Sequence, residues 1–442
     1  MKVMLQYPIT GTNASEIATS IEEGLQGGRI PAGAMLPTVR RLANSLQLSP
    51  TTVAAAYRTL RTRGILTAQG RRGTQVNLRP PLPVRVTTTV PRHLRNLANG
   101  NPDPTLLPNL RSVLPRLDLQ PRLYGEPANR PRLLALAAQQ FAAEHIPTDS
   151  LAVLGGALDA AERILQAHLR PGDRVALEDP GYSEIFDLLS ALGLIAEPVT
   201  IDEYGVLPEA LTRALKAGSR ACILTPRAQN PTGAAFDERR ARELRKILDS
   251  CSDVLVVEDD HAGPVAGVPA LTVCHRKKTR WAVIRSASKS LGPDLRLAIV
   301  AGDATTIARV EGRQFIGAGW VSHILQSIVE TLWSTPTIIA QLRVAAETYT
   351  TRREAMIAAL KRYHLVAYGR SGLNVWVPVP EEVGVVTNLA AAGWAVRGGE
   401  RYRIKSPPAV RISIATLQPA EASKLAADFA QCLQPQRSTH SV

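Results

Sequence analysis

A lysine lies among small hydroxyl residues directly after an apolar run that is typical of a strand. Lys289 follows Ser286 and Ser288, in a chain that contains nine lysines against 43 arginines. A lysine at a strand end can lose its proton when it is desolvated, and the neutral amine suits Schiff-base chemistry. Arg296 lies seven residues further on and is placed for a bidentate contact with a phosphate. This stretch therefore predicts Schiff-base chemistry beside a phosphate site.

Three other segments place an aromatic or polar side chain directly after a predicted strand. Tyr182 brings a ring to one strand end. Asn230 precedes a proline, which is compatible with a cis peptide bond that aims the carboxamide into a site, or with an ordinary turn. Asp259 and His261 belong to a polar run that emerges from an apolar strand, although three consecutive acids are also typical of a solvated loop. His261 is compatible with a role in the site or with neutral packing.

The chain from about residue 98 supplies a scaffold for these residues. Short β-rich runs alternate with helical patterns, which predicts an α/β module with a mostly parallel sheet covered on both faces. The predicted strands are 174–176, 221–225, 254–258, 281–286 and 297–301, and the predicted helices are 131–144, 157–168, 183–192, 237–248 and 350–363. The site of such a sheet gathers at the carboxyl ends of its strands. Gly156 and Ala157 open one predicted helix, where backbone N–H groups can bind an anion, although glycine there is also typical of a plain turn.

The first 77 residues predict a different module, a winged helix-turn-helix. Asn13 starts a first helix, and Thr38 is the expected N-cap of a short second one. After a tight connection, Ser49 caps a third helix with Pro50 at its first position. Two short strands then flank a basic, glycine-rich tip. Helix, short helix, tight turn, helix and hairpin in this order are typical of a DNA-binding fold.

Positive charge is concentrated in this first module. Residues 1–80 carry a net charge of +7, half of the +14 of the whole 442-residue chain. This density predicts a polyanionic partner, most simply double-stranded DNA, although a solvated basic face has the same composition. The third helix would enter the major groove. The candidate DNA contacts are Thr51 and Thr52 in its first turn, Arg40, Arg41 and Arg58 for phosphates, Arg71 and Arg72 on the wing, and Tyr57, which also belongs to the apolar stripe of that helix.

The composition of the chain and its proline-rich stretch divide it into domains, and the composition also excludes several classes of protein. We expect the winged helix over residues 1–77, a proline-rich linker over 78–97 and the large module over 98–442, with a smaller C-terminal part at about 330–442. Four widely spread cysteines without a CxxC motif predict a reduced cytoplasm, no disulfide scaffold and no metal site built on paired cysteines. We expect no membrane association, since no apolar run is long enough to span a bilayer and no secretory leader is visible.

Both parts of the chain resemble known families. Residues 16–76 resemble the GntR family of bacterial regulators, on the motifs GRIPAG (28–33), LPTVRRLA (36–43), LSPTTV (48–53) and GRRGT (70–74). Residues 98–431 resemble the fold type I aminotransferases, which bind pyridoxal 5′-phosphate (PLP), on the ordered strand-end motifs described above. Together the two parts resemble the MocR subfamily of GntR regulators, which fuse a winged helix to an aminotransferase-like domain.

The resemblance implies a role for each candidate residue. Lys289 would form the Schiff base with PLP, and Asp259 would pair with the pyridinium nitrogen. Asn230 would hydrogen-bond the phenolic oxygen and Tyr182 would stack on the ring. Arg411 would bind the carboxylate of a substrate or effector. The implied phosphate ligands are Gly156, Ala157, Ser286, Ser288 and Arg296, with Tyr124 reaching the phosphate of a partner subunit and so implying a homodimer.

Three departures from the family pattern bear on function. His261 stands where a tyrosine usually contacts the phenolic oxygen, Asn129 where a glycine is usual, and Pro50 where many GntR members carry an arginine. The first two affect the expectation of transaminase turnover more than that of PLP binding. We therefore expect a PLP-dependent DNA-binding transcriptional regulator that senses PLP, an amine or an amino acid. The alternatives are an active aminotransferase with a fused DNA-binding module and a scaffold that has lost PLP, which the surviving ligand positions disfavour.

Overall fold

The computed structural model describes residues 7–68, 73–77, 90–118 and 120–433. These residues form two compact units. The first contains the described residues up to 77 together with Leu169–Val175 and Ser183–Ala196, and the second contains the rest. The domain limits expected at residues 77 and 98, and the smaller part expected from about 330, stay predictions.

The winged helix-turn-helix predicted for the first unit is confirmed. Its elements are α1 (Ala14–Gln26), α2 (Val39–Leu46), α3 (Pro50–Thr62), β1 (Leu66–Ala68) and β2 (Thr74–Val76), and the two strands pair antiparallel. Each helix begins where a side chain accepts from a free backbone N–H: Asn13 for α1, Thr38 for α2 and Ser49 for α3. Ile17, Ile21 and Leu60 are fully buried between the helices, so apolar packing holds these short elements together.

The rest of the chain alternates strands with helices, as its sequence predicts. In chain order the elements are β3 (Arg95–Asn96), α4 (Pro131–Ala143), β4 (Leu151–Leu154), α5 (Ala157–His168), β5 (Arg174–Asp179), α6 (Ser183–Ala191), β6 (Ile195–Asp202), β7 (Gly205–Val206), α7 (Pro208–Lys216), β8 (Ser219–Leu224), α8 (Glu238–Asp249), β9 (Leu255–Asp260), β10 (Trp281–Ser286), β11 (Ala298–Gly302), α9 (Ala304–Ile316), α10 (His323–Trp333), α11 (Pro336–Lys361), β12 (Asn374–Pro378), α12 (Glu382–Ala391), β13 (Trp394–Ala395), β14 (Arg397–Gly398), β15 (Ala409–Ser413) and α13 (Pro419–Leu433).

A mostly parallel sheet of eight strands forms the main layer, which confirms the predicted fold class. Its strand order is β4-β11-β10-β9-β8-β5-β6-β7. β8, β9 and β10 are parallel to one another, and β11 is antiparallel to both β10 and β4. Every residue of β9, β10 and β11 is buried, as expected of central strands that are covered on both faces.

A smaller antiparallel sheet lies in the C-terminal part of the second unit. It has the order β12-β15-β14, while β3 pairs separately and in parallel with β13. The helix expected over 350–363 is the end of α11, which begins at Pro336 and continues the buried stripe through Leu342 and Tyr349. No helix of the described residues is long and apolar enough to cross a membrane.

Candidate functional site

The carboxyl ends of β4, β5, β8, β9 and β10 carry the candidate residues. Gly156 follows β4 by two residues, Tyr182 precedes α6 directly after β5, and Asn230 lies in the segment after β8. Asp259 is the penultimate residue of β9, and Ser286 is the last residue of β10. β4, β8, β9 and β10 run in one direction, so their ends open on the same edge of the sheet.

Lys289 extends from the segment after β10, and its amine contacts a part of the chain that sequence reasoning missed. The Nζ atom donates to the carbonyl oxygen of Gly100 at 2.7 Å. Together with burial, the positive charge of Lys289 lowers the pKa of His261, and it partly offsets the rise that burial causes in the pKa of Asp259. The structure therefore brings Lys289, Asp259 and His261 into one electrostatic environment.

Asp259 is buried, and one of its oxygen atoms has no partner in the described part of the chain. Burial, followed by the nearby Asp260 and Glu178 carboxyl groups, raises the pKa of Asp259 to about 7. Among the described residues, its Oδ1 atom has no hydrogen-bond partner. An unsatisfied buried carboxylate oxygen is costly, and a cationic N–H donor would remove that cost. The pyridinium nitrogen of PLP is such a donor, so Asp259 fits the cofactor that the fold implies.

An anion cradle lies at the N-terminus of α5. Gly156 has φ +108°, and a Cβ atom at this position would lie 3.3 Å from a guanidinium nitrogen of Arg296. Ala157 is the first residue of α5, so the free N–H groups of the helix open beside that guanidinium. Ser288 donates its backbone N–H to the Oγ atom of Ser286 at 3.2 Å, which keeps both hydroxyl groups in the same turn. This arrangement suits a phosphate group.

Asn230 and Arg411 are in direct contact. Nη1 of Arg411 donates to Oδ1 of Asn230 at 3.0 Å, and Nη2 donates to the carbonyl oxygen of Ala98 at 2.5 Å. The guanidinium lies over the Tyr402 ring at 4.8 Å from its centre. The Asn230–Pro231 peptide bond is cis. The group expected to bind a carboxylate is therefore already engaged by the protein itself.

His261 follows β9 directly. Burial and the charge of Lys289 lower the pKa of His261 to about 4. The imidazole is therefore neutral at pH 7, with one ring nitrogen as a donor and the other as an acceptor. A neutral ring can donate a hydrogen bond in the site without adding a charge there.

Tyr124 is not part of the strand-end site of its own chain. Its side chain is 93% exposed, and its ring packs edge-on against Trp320 at 5.6 Å between ring centres. Asn129, by contrast, has a structural role, because it donates to Glu311 and accepts from the N–H of Val153.

The expected DNA contacts lie on α2 and α3, with one correction. Arg40, Arg41, Thr51 and Arg58 are exposed, and Thr52 is partly exposed. The expectation for Tyr57 is wrong: the residue is 1% exposed, and its hydroxyl donates to the carbonyl oxygen of Pro37 at 2.8 Å. Tyr57 therefore packs in the apolar core of the first unit, as its position in the apolar stripe of α3 indicates. Arg71 and Arg72 lie outside the described residues.

A buried ion cluster next to Asp259 was also missed. Asp260 accepts from Nε and Nη2 of Arg227 and from Nε of Arg285, each at 2.8 Å. Glu144 pairs with both arginines. Burial alone would raise the pKa of Asp260, but the two arginines hold that pKa well below its usual value. Side chains alternate along a strand, so Asp259 points to one face of β9 while Glu258 and Asp260 point to the opposite face. This alternation could have been predicted from the sequence.

Comparison with known proteins agrees with this division of the chain. Residues 92–429 match the family "Aminotransferase class I and II", and residues 13–76 match "Bacterial regulatory proteins, gntR family". The chain belongs to the MocR-type regulators, in which a GntR helix-turn-helix domain that binds DNA is joined to an aminotransferase-like domain.

Two curated relatives have the same arrangement over nearly their full lengths. The vitamin B6 salvage pathway transcriptional repressor PtsJ of Salmonella typhimurium is 40% identical over 96% of this chain and 99% of its own. The HTH-type transcriptional regulator TauR of Rhodobacter capsulatus is 24% identical over 89% and 90%. Among solved structures, the kynurenine aminotransferase of Pyrococcus horikoshii superposes with a TM-score of 0.70, at 20% identity over 77% of this chain and 91% of its own, which shows the fold.

Proposed function

We propose that this protein is a transcriptional repressor of vitamin B6 salvage that binds DNA through α2 and α3 and senses PLP at Lys289. The observation that carries the proposal is the buried Oδ1 atom of Asp259, which has no partner among the described residues and lies within the electrostatic reach of Lys289. When bound, PLP supplies an aldehyde that condenses with an amine and a ring that withdraws electrons. PtsJ, which is 40% identical, has the corresponding role in its own organism.

The residues of this chain divide the work of holding PLP. Lys289 would supply the amine, and Asp259 would pair with the ring nitrogen. The N-terminus of α5, with Arg296, would hold the phosphate, while Tyr182 would stack on the ring. Asn230 and His261 each offer a neutral group to the phenolic oxygen, and the low pKa of His261 keeps its imidazole uncharged at pH 7.

We assign PLP itself as the effector, and not an amino acid. Arg411 is 4% exposed, and its guanidinium already donates to Asn230 and to the Ala98 carbonyl oxygen. A carboxylate would have to share the guanidinium with these two partners, and that competition offsets part of its binding free energy. PLP without an amino acid makes no such demand on Arg411.

The proposal includes a homodimer formed through the second unit. Leu123, Tyr124, Phe315 and Ile316 expose large apolar side chains, and Trp320 contacts Tyr124. Exposed large apolar side chains of this kind are typical of an interface. In a symmetric dimer the same patch of both subunits meets, and the two winged helices would then read paired half-sites. We place the protein in the cytoplasm, where its DNA lies.

The second candidate function is an active aminotransferase, which the presence of Lys289, Asp259 and Arg411 together favours. A single preparation of the full chain separates the two functions. We expect PLP to give an absorbance band that borohydride removes, to change the affinity for DNA upstream of the salvage genes, and to give no keto acid from a panel of amino acids. Keto-acid formation at enzymatic rates, with DNA affinity independent of PLP, would support the aminotransferase instead.

A further inference from the structure

The segment Leu97–Asp103 enters the candidate site directly after β3. Two backbone hydrogen bonds fix its start: the N–H of Arg95, in β3, donates to the carbonyl oxygen of Gly393, and the N–H of Leu97 donates to that of Ala395. The Arg95 guanidinium also pairs with Glu421 at 2.8 Å. The start of this segment is therefore fixed to the C-terminal part of the second unit.

The other end of the segment is fixed by α11. The backbone N–H of Asp103 donates to the Tyr349 hydroxyl at 3.0 Å, and the Asp103 carboxylate pairs with Arg352 at 2.9 Å. Only Ala98–Pro102 separates the two anchors. So short a segment has few free backbone dihedral angles, so a change in its middle also acts on the anchored residues on either side.

The middle of the segment contacts two of the cationic side chains of the candidate site, Lys289 and Arg411. The Ala98 carbonyl oxygen accepts from Arg411, and the Gly100 carbonyl oxygen accepts from Lys289. Gly100 has φ +66°, and a Cβ atom there would lie 3.2 Å from Nη2 of Arg411. The backbone of this segment therefore packs directly against the two groups that a ligand of this site would address.

The bond between Lys289 and Gly100 depends on the covalent state of the lysine. A free ammonium group carries three N–H donors, whereas a lysine nitrogen condensed with a carbonyl compound carries at most one. Gly100 is partly buried, as is its bond with Lys289, so the loss or reorientation of the donor to its carbonyl oxygen carries a free-energy cost. Condensation at Lys289 thus changes the balance of forces on this segment.

We propose that the Ala98 and Gly100 carbonyl groups position Arg411 and Lys289. When the covalent state of Lys289 changes, these carbonyl groups change the backbone stability of Arg95–Leu97, where the chain arrives from the DNA-binding unit. The inference rests on the proposed function, because it requires that PLP changes DNA binding. It adds the residues that carry the change, and it makes Gly100 a positioning residue whose side-chain-free backbone is required.

Amide hydrogen exchange of the full wild-type chain tests the first half of this inference. Saturation with PLP should make the amides of Arg95, Leu97 and Asn101 exchange several-fold faster, because the segment loses part of its hold on Lys289. The same addition to Lys289→Ala should leave these amides unchanged. Equal exchange in wild type with and without PLP, at saturation of the absorbance band, would overturn the proposal.

A pair of glycine variants tests the second half. Gly100→Ala places a Cβ against Arg411, whereas Gly218→Ala carries the same kind of backbone cost, at φ +92°, with no atom within 4 Å of the new Cβ. At PLP concentrations that saturate the absorbance band, Gly218→Ala should keep the wild-type ratio of DNA affinities with and without PLP. In Gly100→Ala that ratio should fall toward one.

The outcomes of the two experiments are distinguishable. A wild-type ratio in Gly100→Ala would contradict this inference and leave the proposed function standing. A wild-type chain whose DNA affinity ignores PLP would contradict the proposed function, and this inference with it. If Gly100→Ala does not fold, the exchange measurement on the wild-type chain decides.

Discussion

At the scale of single residues, the protonation of Asp259 is set by its burial and then by the carboxyl groups of Asp260 and Glu178. Its folded-state pKa of about 7 lies far above the usual value of 3.8. A carboxyl group with a raised folded-state pKa contributes stability at low pH and loses it as the pH rises through that value. Burial also raises the pKa values of Glu178 and Glu258 to about 7. The contribution of Asp259 alone can therefore be measured only by substituting that residue.

The substitution Asp259→Asn should remove one titrating group from this set. Between pH 4 and pH 7, the free energy of unfolding of the wild type without PLP should fall by a few kcal/mol relative to that of the variant. Saturating PLP should shrink this difference, because a cation beside Asp259 favours its ionised form. Denaturant unfolding at several pH values measures it. Parallel pH profiles of wild type and variant would contradict the assigned pKa.

The substitution Lys289→Ala should abolish the borohydride-reducible absorbance band while the protein remains folded. Lys278→Ala is the matched control, because its Nζ donates to the carbonyl oxygens of Leu248 and Cys251, both at 2.8 Å, and holds the end of α8. That variant should keep the band and lose about 1–3 kcal/mol of stability. A band that survives in Lys289→Ala and vanishes in Lys278→Ala would move the assignment to Lys278.

Residue types at strand ends were enough to make Lys289, Asp259 and Asn230 candidates, since their chemistry depends on the side chain itself, and their roles stay predictions. Two residues show where this reasoning fails. Tyr57 was placed both in the apolar stripe and at the DNA, and only packing decides between them. Gly100 acts through its carbonyl oxygen, which every residue carries, so its type indicates nothing about the contact with Lys289.

At the scale of elements, we propose that α2 and α3 present the surface for DNA. Arg40→Ala and Arg41→Ala should each weaken DNA binding, and each should reduce the slope of log affinity against log salt by about one if it removes one phosphate contact. Tyr57→Phe serves as a control within the same unit, because it removes a buried hydrogen bond worth about 1 kcal/mol and no charge. Titrations at several salt concentrations measure the slopes. An unchanged slope in both arginine variants would contradict this surface.

Helix starts were predictable here because capping is local. Asn13, Thr38 and Ser49 each accept from N–H groups two or three residues later, as their types suggest. The start of α11 was not predicted, because no side chain caps Pro336 and the helix depends on packing. The segment Leu97–Asp103 was missed for a related reason: its partners, Ala395 and Arg352, are hundreds of residues away in the chain.

At the scale of the whole molecule, the exposed apolar surface predicts the assembly. Phe315 and Ile316 are 76% and 87% exposed at the end of α9. Replacing both with serine should convert a dimer into a monomer in sedimentation at micromolar concentration, with the PLP band retained. Val366→Ser changes another exposed apolar residue and should leave the dimer intact. A wild-type monomer with PLP bound would contradict the dimer.

The central claim is that PLP at Lys289 and DNA at the winged helix influence each other. Linkage requires that PLP changes DNA affinity by the same factor by which DNA changes PLP affinity. The most direct test is a DNA titration of wild type and Lys289→Ala, each with and without PLP. We predict a PLP-dependent affinity in the wild type and none in Lys289→Ala, which should still bind DNA. Wild-type DNA affinity that is identical with and without PLP would contradict the claim.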